Sequence, residues 1–462
     1  MRHPELISML KHGARFMMLL PLILSTIACR AVHAPDILAA DNSSESTQLL
    51  AADTLKPTDS IWPARWGSIP QATGTIIELD PTQPLRPVHY SRYHQGRPTP
   101  DDFEDAAKLA QAVGIEQPFK FKSEGPGSFV FIQDPLNENP EKNPPDLAFK
   151  FVSAEQDPTA SQQENTARPE HTEDHVLLQR TWFTFRDPKA GKDQLGTIVL
   201  LPGMFGTPEL VVDAAERYWH HQGYAVLRMR SHPSRYTQHL ALTYLDAQGE
   251  ELAAQAASVA DDRVAECAYA TDAALDHVFN LRPELADMPV VLVGMSGGAL
   301  ALPSVYAFTP ERYSAAVLIA GGANFLNIMI DSNYRDWIDA IIIDFDPLSD
   351  DLGKPDQSQI DSLSSLYLKH SRLDAYDTAP LLEHIPVLVL HASNDRAVPA
   401  ATGDLLYQRL GKPERWTYPL GHELIFAALP TQIPRIDRWI KQQLPQSAIG
   451  AATDPAKSTP GE

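Results

Sequence analysis

Three short segments hold residue types suited to nucleophilic chemistry. Ser296 sits in Gly294-Met295-Ser296-Gly297-Gly298, between an apolar run at 289–293 and a helical run at 299–308. A serine hydroxyl is a poor nucleophile at neutral pH and needs a base beside it. The flanking glycines suit a turn so sharp that strand and helix nearly touch, leaving no room for side chains at 294 and 298. Asp395 closes the loop His391-Ala392-Ser393-Asn394-Asp395, directly after an apolar run at 385–390 and before Val398-Pro399. His422 lies in Leu420-Gly421-His422-Glu423, between a strand-like stretch at 415–418 and a helix. Brought together, His422 would take the serine proton, and Asp395 would fix the imidazole tautomer and stabilise the imidazolium.

The surrounding pattern is one that can bring them together. From residue 177, apolar strands at 177–186, 197–201, 224–229, 290–293, 315–319 and 386–390 alternate with helical stretches, among them 208–221 and 251–280. Short runs apolar on both faces, separated by helices, imply a mostly parallel, doubly wound sheet of the α/β class. Ser296 and Asp395 each follow one of these runs, and His422 follows the strand-like stretch at 415–418. Upstream, residues 61–176 hold scattered strand-like pieces at 74–79 and 128–133 and a helix at 100–113. They read as an irregular N-terminal extension with a polar, disordered loop near 153–174.

The glycine elbow in its strand–turn–helix setting, with aspartate and then histidine following in the chain, resembles the α/β-hydrolases. The loop from His391 to Asp395 with Val398-Pro399 is similar to that family's acid loop, with Ala392 where glycine is usual. Gly421-His422-Glu423 is similar to its histidine loop. The resemblance covers residues 177–445. It implies an α/β-hydrolase fold with a helical cap insertion at about 325–380 and a carboxylic ester as substrate, cleaved through an acyl-enzyme. A peptide amide or a thioester is open to the same triad, and a non-catalytic binding protein on the same scaffold is the alternative of another class. The resemblance also implies an oxyanion hole built from the backbone amide of Gly297 and one from the loop Leu201-Pro202-Gly203-Met204-Phe205-Gly206. Met204 is its donor by position, with Phe205 the alternative.

Other candidates are weaker. Ile330, Tyr334, Trp337, Ile338, Ile341, Ile342 and Phe345 share one helical face and predict a cap helix. Arg228, Arg230 and His232 end a strand on the ligand side and are open to substrate binding or to ion pairing. His391 suits a structural hydrogen bond, and Cys267 a buried apolar position. His171 and His175 lack a third ligand, and no phosphate or dinucleotide fingerprint is present, so neither metal nor organic cofactor is expected.

The start of the chain reads as an export signal. Arg2, Lys11 and Arg15 precede an apolar run at 16–28, too short to span a bilayer comfortably. It ends Ser25-Thr26-Ile27-Ala28-Cys29, which resembles a bacterial lipobox and implies a diacylglycerol-modified Cys29 holding the chain at the cell envelope. Cleavage after Ala34 would instead release a soluble periplasmic or secreted protein. The expected organisation is a signal peptide at 1–28, a flexible tether at 29–60, the extension at 61–176, the hydrolase domain at 177–445 and a disordered tail at 446–462. With only 2 cysteines and a lipidated Cys29, Cys267 would have no partner in the chain. A net charge of −21 over 462 residues excludes nucleic acid as an expected partner. The expected partners are a small ester or related acyl substrate and, through Cys29, the membrane.

Overall fold

The computed structural model describes residues 74–79, 88–93, 128–132, 146–156, 176–203, 209–231, 241–245, 248–333, 341–345 and 355–444. The chain divides into two units, Met1–Asp59 and Ser60–Glu462, of which the first lies outside the described residues. Also outside them lie the expected helix at 100–113, His171, His175, His232 and the tail beyond 444.

Thirteen strands are described: β1 (Gly74–Leu79), β2 (Val88–Tyr93), β3 (Ser128–Ile132), β4 (Leu147–Gln156), β5 (Val176–Arg186), β6 (Gly196–Leu201), β7 (Tyr224–Ser231), β8 (Ala241–Thr243), β9 (Val290–Met295), β10 (Ala315–Ile319), β11 (Ile342–Asp344), β12 (Val387–Ala392) and β13 (Glu414–Tyr418). The helices are α1 (Glu209–Gln222), α2 (Gly249–Leu281), α3 (Gly297–Phe308), α4 (Phe325–Asp331), α5 (Gln357–His370), α6 (Ala375–Thr378), α7 (Ala400–Arg409) and α8 (His422–Gln443). Nine strands form one sheet in the order β1-β4-β5-β7-β6-β9-β10-β12-β13. From β7 to β13 every pairing is parallel, whereas β5 runs against both β4 and β7, and β1 against β4.

The apolar runs explain the layering. Successive strand residues point to opposite faces. Ile198 and Leu200 of β6, Val291 and Val293 of β9 and Leu388 and Leu390 of β12 pack with α1 and α8 on one face. Val199 and Leu201, Leu292, and Val387 and Val389 pack with α2 and α3 on the other. Strands covered on both faces have no polar side, which is why they read as unbroken hydrophobic runs.

The structure departs from the sequence reading in two places. The sheet reaches N-terminally of Val176 through β4 and β1, and Ser153–Gln156, expected within a polar loop, is strand paired along β5. The expected cap helix does not run to Phe345. α4 stops at Asp331, Ser332 is extended, and Ile342–Asp344 pairs in parallel with Ala241–Thr243. Three consecutive isoleucines at 341–343 favour strand over helix, because their branched Cβ atoms crowd a helical turn. Tyr334, Trp337 and Ile338 lie outside the described residues.

Candidate active site

The chain passes from β6 to β7 on one side and then returns to β9 on the other, so the strand order reverses beside β6. In an open α/β sheet this reversal opens a crevice at the carboxyl ends of the strands. Ser296 follows β9 at that crevice, and Pro202 and Gly203 follow β6.

Ser296 adopts φ 51° and ψ −116°, a conformation that a residue with a side chain rarely takes. Strain of this kind costs about 1–3 kcal/mol and persists only where the surroundings impose it. Here they do: Ser296 N–H donates to Ile319 O of β10 at 2.8 Å, and Ser296 O accepts from Ala299 and Leu300 at 2.9 and 3.1 Å. A Cβ at Gly294 would lie 2.6 Å from Gly298 O, so the residue four places on needs bare backbone there. Gly297 opens α3, which puts its amide in the first turn, at the positive end of the helix dipole.

Asp395 and His422 are carried on loops that extend the β12–β13 pairing. Ser393 N–H donates to Tyr418 O at 2.9 Å and Asn394 N–H to Leu420 O at 3.1 Å. Asp395 Oδ1 accepts from the amides of Ala397 and Val398, both at 2.9 Å, which leaves Oδ2 for the histidine. His422 Nδ1 lies 2.7 Å from Asp395 Oδ2, and His422 Nε2 lies 2.9 Å from Ser296 Oγ. A carboxylate only accepts, so Nδ1–H donates to it and Nε2 is left to accept from the serine hydroxyl. Phe426, one turn along α8, packs edge-to-face against the imidazole at 5.1 Å between centroids. Asp395 and His422 are both buried, at 7% and 8% exposure, so water does not compete for these bonds.

This is the α/β-hydrolase fold. The strand order decides it, together with a strained serine at the β9–α3 turn, an aspartate after β12 and a histidine after β13. No protein-family model matches the chain, and no curated protein matches it. Solved structures of similar fold include Est1E from Butyrivibrio proteoclasticus, at 14% identity and TM-score 0.36, covering 58% of this chain and 95% of that one. The esterase domain of a Rhodothermus marinus protein, at 14% identity and TM-score 0.34, covers 63% and 98%. An esterase from Pyrococcus furiosus, at 14% identity and TM-score 0.38, covers 58% and 87%. All three are distant.

In this fold the turn after β10 has no room for an alternative acid. Ala320 sits at φ 50°, a Cβ at Gly321 would lie 2.7 Å from Ala299 Cβ, and one at Gly322 would lie 2.4 Å from Thr402 Oγ1. His391 is kept from the serine by its place inside the fold. It is buried, Gly403 passes close by its ring, and burial together with Arg415 lowers its pKa. Arg228 is committed elsewhere: its Nη1 pairs with Asp213 at 2.7 Å and Glu216 at 3.2 Å on α1, and Arg186 pairs with the same Glu216 at 2.7 Å. Cys267 is buried on α2, and burial and then the charge of Glu266 push its thiol well above the usual range. Met204 and Phe205 lie outside the described residues, as does Cys29. No group of three or more His, Cys, Asp or Glu among the described residues is arranged to hold a metal, and no helix among them is long and apolar enough to cross a membrane.

Proposed function

We propose that this chain is a serine hydrolase that cleaves carboxylic esters through an acyl-enzyme. Ser296 Oγ attacks the ester carbonyl while His422 Nε2 takes its proton. The imidazolium, steadied by Asp395, returns that proton to the departing alkoxide, leaving the acyl group on Ser296. Water, deprotonated in turn by His422, then releases the acid and restores the serine. The Gly297 amide and a second amide at Met204 receive the oxyanion in both halves of the reaction. The observation that carries the reading is the continuous hydrogen-bonded line from Asp395 through His422 to Ser296, ending on a serine in a strained turn. Export and attachment through a lipidated Cys29 belong to the same proposal and rest on the leader sequence.

The test is covalent labelling with a fluorophosphonate, followed by turnover of p-nitrophenyl esters, aminoacyl amides and acyl thioesters. Labelling should vanish in Ser296→Ala, and esters should be the class turned over. Undiminished labelling of the variant would remove Ser296 from the mechanism. Turnover of the amides or thioesters alone would move the substrate to that class.

A further inference from the structure

Phe426 stands one turn beyond His422 on α8, and its ring meets the imidazole edge-to-face, with 5.1 Å between centroids and 74° between planes. In this geometry two aromatic rings attract beyond the area they bury. Phe426 is 4% exposed and belongs to the apolar cluster beneath α1 and α8. The same cluster holds Met295, the residue before Ser296, and Ala392, three places before Asp395. The ring against His422 is therefore seated in a layer that borders all three site residues.

A histidine side chain turns readily about its Cβ–Cγ bond, where the torsion has broad wells. In the free protein, hydrogen bonds oppose that swing at both nitrogens. Nδ1 is held by Asp395 Oδ2 at 2.7 Å, and Nε2 by Ser296 Oγ at 2.9 Å. In an acyl-enzyme this changes. Ser296 Oγ is then esterified and has no proton to donate, so its bond to Nε2 is lost. The Asp395 bond and the packing of Phe426 remain. The second half of the reaction still needs the imidazole aimed. Nε2 takes a proton from water as the water oxygen bonds to the acyl carbon. It then hands that proton to Ser296 Oγ as the bond between the acyl carbon and that oxygen breaks.

We propose that Phe426 is a positioning residue for deacylation, keeping the His422 imidazole in line while Ser296 cannot hold it. This role rests on the hydrolytic reading and divides the alignment of the base between the two half-reactions. During acylation the serine hydroxyl aligns Nε2. During deacylation the phenylalanine ring does. An edge-to-face pair of this kind corresponds to a roughly two- to tenfold change in rate when all of it goes into orientation. Leucine at 426 would keep the position apolar and buried but would offer the imidazole no flat ring.

Turnover of a p-nitrophenyl ester by Phe426→Leu tests this, because two readouts separate the half-reactions. The value of kcat/KM reports acylation alone. The ratio of acylated to unacylated enzyme at saturating ester, trapped with acid and weighed as intact protein, reports acylation against deacylation. In Phe426→Leu, kcat/KM should stay within about twofold of wild type. The acylated-to-unacylated ratio should rise roughly two- to tenfold, and kcat and KM should fall together wherever deacylation limits turnover. Phe426→Tyr keeps the ring and should keep the wild-type ratio. An unchanged ratio in Phe426→Leu, or one raised equally in Phe426→Tyr, would overturn the role. Should circular dichroism show Phe426→Leu unfolded, Phe426→Met carries the same test. A wild type that forms no acyl-enzyme and takes no fluorophosphonate on Ser296 removes the hydrolytic reading itself. Normal labelling with an unchanged ratio removes only the part given to Phe426.

Discussion

A Cβ built on Gly298 would stand 2.2 Å from the carbonyl oxygen of Leu201, at the end of β6. That contact is backbone against backbone and has no flexible side chain to yield. It brings the first turn of α3 against the strand that leads into the Pro202-Gly203 loop. Gly297, one expected oxyanion donor, is therefore set beside the end of β6 by this packing contact.

Gly298→Ala should consequently injure both fold and site. Overpacking of a filled interior costs about 1–3 kcal/mol, and more where backbone must move. Thermal melting of the variant should show a midpoint several degrees lower, with loss of fluorophosphonate labelling even in the fraction that remains folded. Full labelling at an unchanged melting temperature would mean that the elbow tolerates a side chain there.

Much of this was legible in the sequence, for physical reasons. β6, β9, β10 and β12 are covered on both faces, so their apolar runs needed no knowledge of their partners. Ser296, Asp395 and His422 were findable because each lies in the loop after a strand, flanked by glycine or followed by proline. The edge of the sheet was harder. β4 carries Lys150, Ser153 and Glu155 and becomes a strand through its pairing with β5, which local pattern does not encode. Ile341 and Ile342 continue the spacing of the helical face that starts at Ile330, and the pairing of Ile342–Asp344 with Ala241–Thr243, which local pattern does not show, makes the segment a strand.

The leader makes a prediction of its own. An apolar run at 16–28 ending at Cys29 should be cleaved before that cysteine and lipidated on its thiol. Mass spectrometry of the mature N-terminus should find a diacylglycerol-modified Cys29. A mature chain that begins at Pro35 would replace the anchored form with a released one.

Glu216 anchors α1 to the sheet through two arginines, Arg186 and Arg228. Burial works against its ionisation, but Arg228 and Arg186 outweigh it and hold the carboxyl below its usual 4.5. Its stabilising contribution is thus present above 4.5 and lost as pH falls through the lowered value. Glu216→Gln leaves two buried guanidinium groups short of charge and should cost about 3 kcal/mol at pH 7. Urea unfolding at pH 7 and in acid checks it: the gap from wild type should narrow as the acid range is entered. A gap constant with pH would mean that packing, not charge, is what Glu216 supplies.

Asp395 meets His422 through Oδ2 while its Oδ1 is held by the amides of Ala397 and Val398, so its two oxygens have separate duties. Asp395→Asn can keep the first duty by presenting its carbonyl oxygen to those amides. Its NH₂ group then faces Nδ1 and forces the imidazole into the other tautomer, with Nε2–H directed at Ser296. A protonated Nε2 cannot accept the serine proton, so the base is lost while the loop survives. The equivalent change in serine proteases costs about 10⁴ in kcat, and a loss of at least about 10² is expected here. Asp331, the first carboxylate after β10, ends α4 on the surface and makes no such contact. Asp331→Asn should keep near wild-type turnover. Steady-state kinetics on both variants, with circular dichroism to show that each is folded, separates the two. If Asp331→Asn lost most activity while Asp395→Asn kept it, the acid would lie after β10 and the line of hydrogen bonds through His422 would not be the catalytic one.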